Sequence, residues 1–454
     1  MNSDPQAGSA ESHPASLPRV LGLWDIIAIV VGGTIGSGIF LVPAEIATEL
    51  SSPILILSVW VVGGVLSFFG ALGFAELAAA YPHAGGAYVY LREAYGNLVA
   101  FLFGWTLFLV VDSGAIATLA VAFSSRYLPF FFPLSPVAQK GIAVLVVAVL
   151  VGVNYVGVRW GANLQNVLTA IKFAALVGVC GVVFLLADGD AANWVNPPVD
   201  PPSMSLAAAF GVALVAVLWA YKGWEGASYS TGETRNPERN LPWGLLIGTL
   251  AVIGIYLAAN LAYLYVLPTA EIATSERIAA DAVSLAIGPI GASAIALVIL
   301  FSISGAANQI LLTSPRVYFA MAKDKQFFRA MADVHPRYQT PHVAIVAMGV
   351  WSAVLSLTGT FEQLFTYVVF GQWIFFGLTV AAVFVLRRRR PDLPRPYKTT
   401  GYPVTPALFV LAALYISLNM LVSEPWNALA GLLIIALGLP AYYYWKRKAA
   451  RSAL

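Results

Sequence analysis

The chain has 454 residues, of which 59% are hydrophobic and only 10% are charged, and its formal net charge is +3. Soluble globular proteins carry roughly 25% charged residues, and the mean hydropathy of this chain is +0.79. These values exclude a soluble fold and predict an all-α polytopic membrane protein. Cys180 is the single cysteine, so an internal disulfide framework is excluded as well.

The first 20 residues are polar and lack the features of a cleaved signal peptide, so we expect a short disordered cytoplasmic tail over 1–20. A membrane-spanning helix needs about 20 mostly apolar residues. Twelve segments meet this requirement in chain order: 21–45, 53–79, 97–125, 137–157, 164–187, 207–231, 243–266, 287–320, 341–358, 361–386, 403–423 and 426–445.

The distribution of Lys and Arg predicts the orientation of these spans. With the N-terminus taken as cytoplasmic, twenty of the 25 basic residues fall on the inner side, and only Arg126, Lys140 and Arg277 fall outside. This bias predicts that both termini are cytoplasmic. The run Arg387–Arg390 could bind nucleic acid or anionic lipid, but we interpret it as part of the same inner-side bias, and no nucleic-acid partner is expected.

Two spans are interrupted by glycines. The first contains GGTIGSGIF (32–40), with four glycines in seven residues, and the sixth contains LWAYKGWEGASYSTGE (218–233), which also holds Lys222 and Glu225. Paired interruptions at corresponding positions of two halves indicate a transporter site at a repeat interface. We therefore expect two five-span repeats, over 21–187 and 207–386, joined by an extracellular loop over 188–206. A basic cytoplasmic loop (387–402), two further spans (403–446) and a cytoplasmic tail (447–454) follow.

Broken helices suit a zwitterionic ligand. The N-terminus of the second half-helix offers free N–H groups and a partial positive charge to a carboxylate, and carbonyls at the end of the preceding half can accept from an ammonium. The alternative is that the glycines only allow close helix packing. GTIGSG is not a dinucleotide-binding loop, because no strand precedes it.

Several motifs in order carry a resemblance to the amino acid–polyamine–organocation superfamily, and within it to the L-type amino acid transporter family and its bacterial relatives. The resemblance extends from about residue 20 to 448. Its most specific pieces are GGTIGSGIF (32–40), FAELAAAYPHAGGAYVYLREAYG (74–96), ETRNPERNLP (233–242), RRRPDLPRPYK (388–398) and GLPAYYYWKRK (438–448).

The resemblance implies a LeuT-type 5+5 inverted repeat with discontinuous helices 1 and 6. It also implies roles for matching residues. The substrate carboxylate would be held by the first break, and the ammonium by carbonyls of the second, with Trp219 as the aromatic gate and Gln372 in the side-chain pocket. The substrate-binding residues are then Thr34, Gly36, Ser37, Gly38, Trp219, Ala220, Lys222 and Gln372.

Lys172 matches a lysine that, in sodium-independent members, occupies the place of a sodium ion. A lysine this deep in a span is costly, so it should face the bundle interior and have partners. Backbone carbonyls near Gly33 and the hydroxyl of Ser302 or Ser304 are the candidates. Snorkelling of the side chain to the cytoplasmic interface is the alternative.

Lys222 departs from the family pattern, where the residue is small or apolar. We expect it to pair with Asp112 in the third span or with Glu225. Two other interpretations stay open: Lys222 contacts the substrate and favours an acidic side chain, or it lies in an aqueous vestibule. Glu225 could also act as a proton relay, since intramembrane carboxylates often do so.

The function predicted from these features is sodium-independent transport of amino acids in the cell membrane by alternating access, through exchange of neutral L-amino acids. Proton-coupled symport, carriage of acidic or cationic amino acids or polyamines, and a non-transporting amino-acid sensor are the alternatives.

No nucleophile–base constellation or metal cluster indicates an enzyme, and no cofactor is expected. Animal members bond to a heavy chain through a cysteine after the third span; residues 126–136 contain none, so a partner of this kind is not expected and the chain would act as a monomer.

Overall fold

The computed structural model describes residues 17–195, 205–358, 361–423 and 425–451. Nearly all of them are helical, as the composition predicts, and within these ranges the isolated bridge between Leu21 and Thr234 is the one β-type pairing. In the first half the helices are α1 (Leu23–Thr34), α2 (Gly38–Glu49), α3 (Pro53–Ala80), α4 (Ala87–Tyr95), α5 (Asn97–Thr106), a π-helix (Leu107–Val111), α6 (Asp112–Ala122), α7 (Pro136–Tyr155) and α8 (Val158–Leu186).

The rest of the described chain is helical as well, and proline at the first turn starts several of these helices, where a missing N–H costs nothing. These helices are α9 (Leu206–Ala220), a 3₁₀ helix (Trp224–Glu233), α10 (Pro237–Val266), α11 (Thr269–Thr274), α12 (Ile278–Ile287), α13 (Pro289–Thr313), α14 (Pro315–Lys323), α15 (His342–Thr358), α16 (Phe361–Arg389), α17 (Val404–Ser423) and α18 (Pro425–Arg451).

By length and composition, ten helices of the described chain can cross a membrane, or eleven if α1 and α2 are one span with a 40° bend. Eleven of the twelve predicted spans are thereby accounted for. The remaining one, 341–358, corresponds to α15, a shorter apolar helix of 17 residues. Large apolar side chains face outward, such as Leu185, Val422 and Trp426, each more than four-fifths exposed. Such a surface is stable in lipid rather than in water.

Two helices of the interrupted spans lie at the centre. Helix α1 packs against α10 and α8, and the 3₁₀ helix that ends span six packs against α1, α10 and α13. The interruptions therefore face the helices that supply most of the buried polar side chains described below.

The last four residues of the predicted disordered tail, 17–20, are ordered and packed against the protein. Leu17 is buried, and the Val20 and Leu21 amides donate to the Glu233 carbonyl at 2.9 and 3.0 Å. Residues 17–20 are thus packed against the 3₁₀ helix, and the prediction of disorder is wrong for them; residues 1–16 lie outside the described residues.

In the predicted loop 188–206, residues 191–194 form a 3₁₀ turn, and 196–204 likewise lie outside the described residues.

The arginine run at the end of α16 is largely used within the protein. Arg387 makes a two-bond ion pair with Glu76, at 2.9 and 2.7 Å, and Arg390 pairs with Glu93 at 3.0 Å. Arg389 donates to the Ala94 carbonyl at 2.9 Å. Three of the four arginines therefore anchor α16 to α3 and α4, which argues against an external anionic ligand.

Candidate functional site

The first break consists of Ile35–Ser37, between α1 and α2. The Gly36 amide donates to the Thr34 carbonyl at 2.8 Å, which closes a tight turn. Ser37 stands at the N-cap of α2 but its side chain makes no capping hydrogen bond. The N–H groups in the first turn of α2 thus lack a side-chain cap, and the helix dipole places partial positive charge there.

The second break follows Ala220 at the end of α9. Gly223 has φ +123°, a conformation that favours glycine, and the chain then continues as the 3₁₀ helix. The Gly223 amide donates to Glu225 Oε2 at 2.9 Å, and Glu225 Oε1 accepts from Gln372 Nε2 at 2.9 Å. Both carboxylate oxygens of Glu225 are therefore already in use.

The two breaks touch each other and share a neighbour on α13. A β-carbon added to Gly223 would lie 2.5 Å from the carbonyl carbon and oxygen of Gly33. One added to Gly33 would lie 2.8 Å from Gln309 Cδ, and one added to Gly226 would overlap the Gln309 amide. The glycines thus make room for the other broken helix and for a glutamine that packs against both.

Tyr256 on α10 links the two breaks by a single hydroxyl. Its Oη lies 2.9 Å from the Thr34 carbonyl and 3.3 Å from the Ala220 carbonyl. Because a phenol has one proton to donate, the shorter contact to Thr34 is the stronger bond. Tyr256 is fully buried, so it holds the ends of α1 and α9 at a fixed separation.

Lys172 on α8 is fully buried against the first break. Its ammonium donates to the carbonyls of Gly32 at 2.6 Å, Ile35 at 2.7 Å and Ser302 at 3.1 Å. The predicted burial with carbonyl partners is present, and the snorkelling alternative is wrong. The carbonyls flank Gly33 rather than belonging to it.

The predicted hydroxyl contacts of Lys172 need correction. Ser302 contributes its carbonyl to the ammonium, while its hydroxyl donates to the Ile35 and Gly36 carbonyls, at 3.1 Å each. Ser304 donates within its own helix to Leu300 at 2.8 Å and takes no part. Ser302 and Lys172 together cover the carbonyls that the break exposes.

A cavity of about 90 Å³ lies where the breaks meet. Since a single water needs about 10–15 Å³ by this measure, the cavity has room for several waters or a small amino acid. Of the predicted site residues it is lined by Gly33, Thr34, Gly36, Ser37, Gly38, Asp112, Trp219, Ala220, Lys222 and Glu225.

Three predicted residues are absent from the cavity wall: Lys172, Ser304 and Gln372, the last of which reaches it only through Glu225. Sequence reasoning missed Tyr229, Tyr256, Gln309, Thr313 and Ser314. Their only sequence signal is a polar group within an apolar span, and many side chains of this kind bond locally. Among the described residues, no group of three or more His, Cys, Asp or Glu side chains could hold a metal ion.

The expected ion pair of Lys222 is not formed. Asp112 accepts a short hydrogen bond from the Ser314 hydroxyl, and Glu225 is bonded as described above, but neither makes a salt bridge with Lys222 in the described chain. Lys222 is half-buried and lines the cavity together with both carboxylates. The predicted pairing is therefore not present as a contact ion pair, and each carboxylate instead accepts from other donors.

Comparisons with known proteins agree with this architecture. The family model described as amino acid permease matches residues 21–438. The b(0,+)-type amino acid transporter 1 of Homo sapiens is 34% identical over 96% of this chain and 89% of its own length. The serine/threonine exchanger SteT of Bacillus subtilis (strain 168) is 32% identical over 96% of this chain and 98% of its own length. The large neutral amino acids transporter small subunit 2 of Homo sapiens is 32% identical over 98% of this chain and 84% of its own length.

The family match covers most of the chain, and each relative aligns over nearly all of it. The resemblance drawn from the sequence motifs is thereby confirmed. Together with the apolar helices of membrane-spanning length, these matches show that the chain belongs to the amino acid permease family, within the amino acid–polyamine–organocation superfamily, as a multi-pass amino-acid transporter of the cell membrane.

Proposed function

We propose that this chain exchanges neutral L-amino acids across the membrane, without sodium, by alternating access. The observation that carries the proposal is the meeting of two broken helices at one cavity, with the Lys172 ammonium on the carbonyls of the first break. An exchanger needs a closed site that can be exposed to either side, whereas a channel needs a continuous lined pore.

The proposed architecture has twelve spans, and the first ten form a LeuT-type 5+5 inverted repeat over 21–187 and 207–386. The support is the placement of the breaks: one lies between α1 and α2, the other between α9 and the 3₁₀ helix, in the first span of each half. α15 then serves as the ninth span and α17 and α18 as the last two, with both termini in the cytoplasm.

The substrate backbone is bound by the two breaks. Its carboxylate accepts from the uncapped N–H groups of Ser37 and Gly38. Thr34 and Gly36 line the cavity beside it, and the Gly36 amide is already bonded to the Thr34 carbonyl. Its ammonium is accepted by carbonyls at Trp219, Ala220 and Lys222. Trp219, half-buried at the cavity wall, covers the substrate as the gate. Gln372 contributes indirectly, because it holds Glu225.

The position of Lys172 supports sodium independence. Its three carbonyl contacts are those that a monovalent cation would use, so a fixed ammonium takes the place of an ion that would otherwise be carried. A proton-coupled mode is the second candidate, favoured by Glu225 and Asp112 at the cavity wall. A buried carboxylate there could gain and lose a proton during the cycle.

The chain is proposed to act without a disulfide-linked subunit. The loop at 126–136 has no cysteine, and Cys180 is buried within α8. Its bacterial relative is named as an exchanger, which supports exchange rather than uniport.

The test is uptake by the purified chain alone in proteoliposomes, with choline or sodium outside. Uptake of labelled neutral amino acids only into vesicles preloaded with amino acid, equal in choline and sodium, is the expected result. Uptake into empty vesicles that follows an imposed pH gradient would replace exchange with proton symport. Binding without uptake in any condition would make the chain a sensor.

A further inference from the structure

The cavity contains three charged side chains with unequal bonding. Glu225 accepts from the Gly223 amide and from Gln372, one donor on each oxygen. Asp112 accepts from Ser314 through Oδ2. The Lys222 ammonium makes no hydrogen bond or salt bridge within the described part of the chain, although it has three protons to donate. The cavity thus has one free donor group, the Lys222 ammonium, and Asp112, with a single donor, is the carboxylate with the most spare acceptor capacity.

Lys222 and Asp112 come from different elements. Asp112 begins α6, directly after the π-helix Leu107–Val111, a type of distortion that is common at functional sites. Lys222 lies in the turn of the second break. Both line the same cavity without forming a salt bridge, so a bound group can contact both. The first break and the carbonyls of α9 are taken by the substrate backbone, which leaves these two side chains for its side chain.

The charges discriminate among substrate side chains. Between Lys222 and Asp112 a cationic side chain would face the Lys222 ammonium and an acidic one would face the Asp112 carboxylate, so a substrate charge of either sign meets a like-charged group there. An apolar side chain would strip water from Lys222 without replacing its hydrogen bonds, which is costly for a charged group. An uncharged group that both accepts and donates meets none of these penalties.

We propose that Lys222 and Asp112 form a side-chain subsite that selects amino acids with a carboxamide, namely glutamine and asparagine. The amide oxygen accepts from the Lys222 ammonium and the amide nitrogen donates to Asp112. A carboxamide suits this subsite better than a hydroxyl, because its donor and acceptor are separate atoms and can reach two partners that do not touch. This inference rests on the proposed exchange of neutral amino acids and names their class.

The decisive experiment is competition in the reconstituted exchanger. Vesicles preloaded with a mixture of glutamine, leucine, glutamate and lysine take up each labelled amino acid in turn, in choline medium. We expect glutamine and asparagine to have KM values about ten- to a hundredfold below that of leucine, the gain of hydrogen bonds to charged groups. Glutamate and glutamine have nearly the same shape, so their comparison isolates the effect of charge.

Failure of the inference and failure of the proposed function give different results. If leucine, glutamate or lysine exchanges with a KM equal to or below that of glutamine, the carboxamide subsite is refuted while exchange stands. If no preloaded amino acid drives uptake of any label, the proposed exchange itself is refuted. The wild-type panel decides both questions even if a variant does not fold.

Two substitutions then test which residues form the subsite. Lys222→Met keeps the length of the side chain and removes the charge, and Asp112→Asn keeps the shape of the carboxylate. We expect Lys222→Met to raise the KM for glutamine about ten- to a hundredfold and to leave or lower that for leucine. Asp112→Asn should also lose the preference for glutamine over leucine.

The matched control is Lys140→Met, since Lys140 is exposed at the start of α7, away from the cavity. It should leave both KM values unchanged. If Lys222→Met raised the KM values for glutamine and leucine equally, Lys222 would only support the fold of the break. That result would overturn its role in substrate selection.

Discussion

Gly223 and Gly33 are in backbone contact, glycine against glycine, where the two interrupted spans cross. A β-carbon at position 223 would lie 2.5 Å from the Gly33 carbonyl carbon and oxygen and 2.8 Å from the Thr34 nitrogen. Real β-carbons do not approach backbone atoms so closely, so no other residue fits without moving one break away from the other. The geometry of the cavity therefore depends on the absence of a side chain at Gly223.

Gly223→Ala should abolish transport. The left-handed φ of +123° adds strain of about 1–2 kcal/mol for a non-glycine residue, in addition to the overlap with Gly33. The measurement is exchange in proteoliposomes together with the melting temperature in detergent, which should also fall.

The control for this substitution is Gly254→Ala in α10. A β-carbon there meets nothing within 4 Å, and alanine is favoured in a helix interior by about 1 kcal/mol. Gly254→Ala should transport normally and melt no lower than the wild type. Normal exchange by Gly223→Ala would mean that the two breaks are not tightly packed in the working protein.

The breaks could be predicted from the sequence because their signal is local. Several glycines within one apolar span would destabilise a continuous helix, so their presence indicates an interruption at that point. The burial of Lys172 could be predicted for the same reason, since a charge inside a span needs partners.

Contacts that depend on the relative rotation of distant helices could not be predicted. Ser302 and Ser304 differ by two residues and therefore point about 200° apart on a helix; only the structure shows that Ser302 faces Lys172. Tyr256 and Gln309 are each one of several polar residues in their helices, and nothing near them in the sequence indicates the breaks they contact. The expected contact ion pair of Lys222 is absent, and nothing in the sequence indicates that Ser314, Gly223 and Gln372 are the donors to the two carboxylates.

Tyr256→Phe should reduce transport by removing the hydroxyl that links the two breaks. The Thr34 carbonyl would lose the hydroxyl at 2.9 Å and keep only the Gly36 amide. The loss of this buried hydrogen bond costs about 0.5–1.5 kcal/mol. The measurement is the exchange rate at saturating substrate, expected to fall at least tenfold, with a lower melting temperature.

Tyr263→Phe is the matched control on the same helix. The Tyr263 hydroxyl is buried and has no hydrogen-bond partner within the described part of the chain. Its removal should leave the exchange rate unchanged and should not lower the melting temperature. Equal losses in the two variants would mean that the Tyr256 bridge has no special role.

Lys172→Met should abolish exchange even though methionine fills a similar volume. The Gly32 and Ile35 carbonyls would both lose an ammonium donor, at 2.6 and 2.7 Å, in a site without exposure to water. The Ile35 carbonyl would keep the Ser302 hydroxyl at 3.1 Å, so the larger cost falls at the Gly32 carbonyl. A buried carbonyl left unpaired costs about 1–3 kcal/mol, so the first break should rearrange. Uptake of labelled substrate is the measurement, with the protein's elution profile as the check on folding. Wild-type exchange by this variant, in choline medium, would refute the role of the ammonium as a fixed cation.

Removing one partner of the ion pair between Arg316 and Glu233 should lower the stability of the protein strongly. Both side chains are fully buried, with Nε–Oε2 at 2.6 Å and Nη2–Oε1 at 3.0 Å, and the Glu233 carbonyl also receives the Val20 and Leu21 amides. Arg316→Met leaves a buried carboxylate without its cation, a change that costs about 3–5 kcal/mol. The melting temperature in detergent should fall by several degrees.

Two further variants distinguish the cost of the unpaired buried carboxylate from the cost of losing any ion pair or the packing of the arginine side chain. Arg159 pairs with Asp25 at 2.8 Å but is half exposed, and Asp25 keeps hydrogen bonds from Asn166 and Gly22 without it. Arg159→Gln should therefore cost only about 0–1 kcal/mol. The double variant Arg316→Met, Glu233→Leu removes the uncompensated charge and should recover much of the lost stability. A double variant that melts below Arg316→Met would show that the arginine's packing, rather than its charge, holds α14 to the end of the 3₁₀ helix.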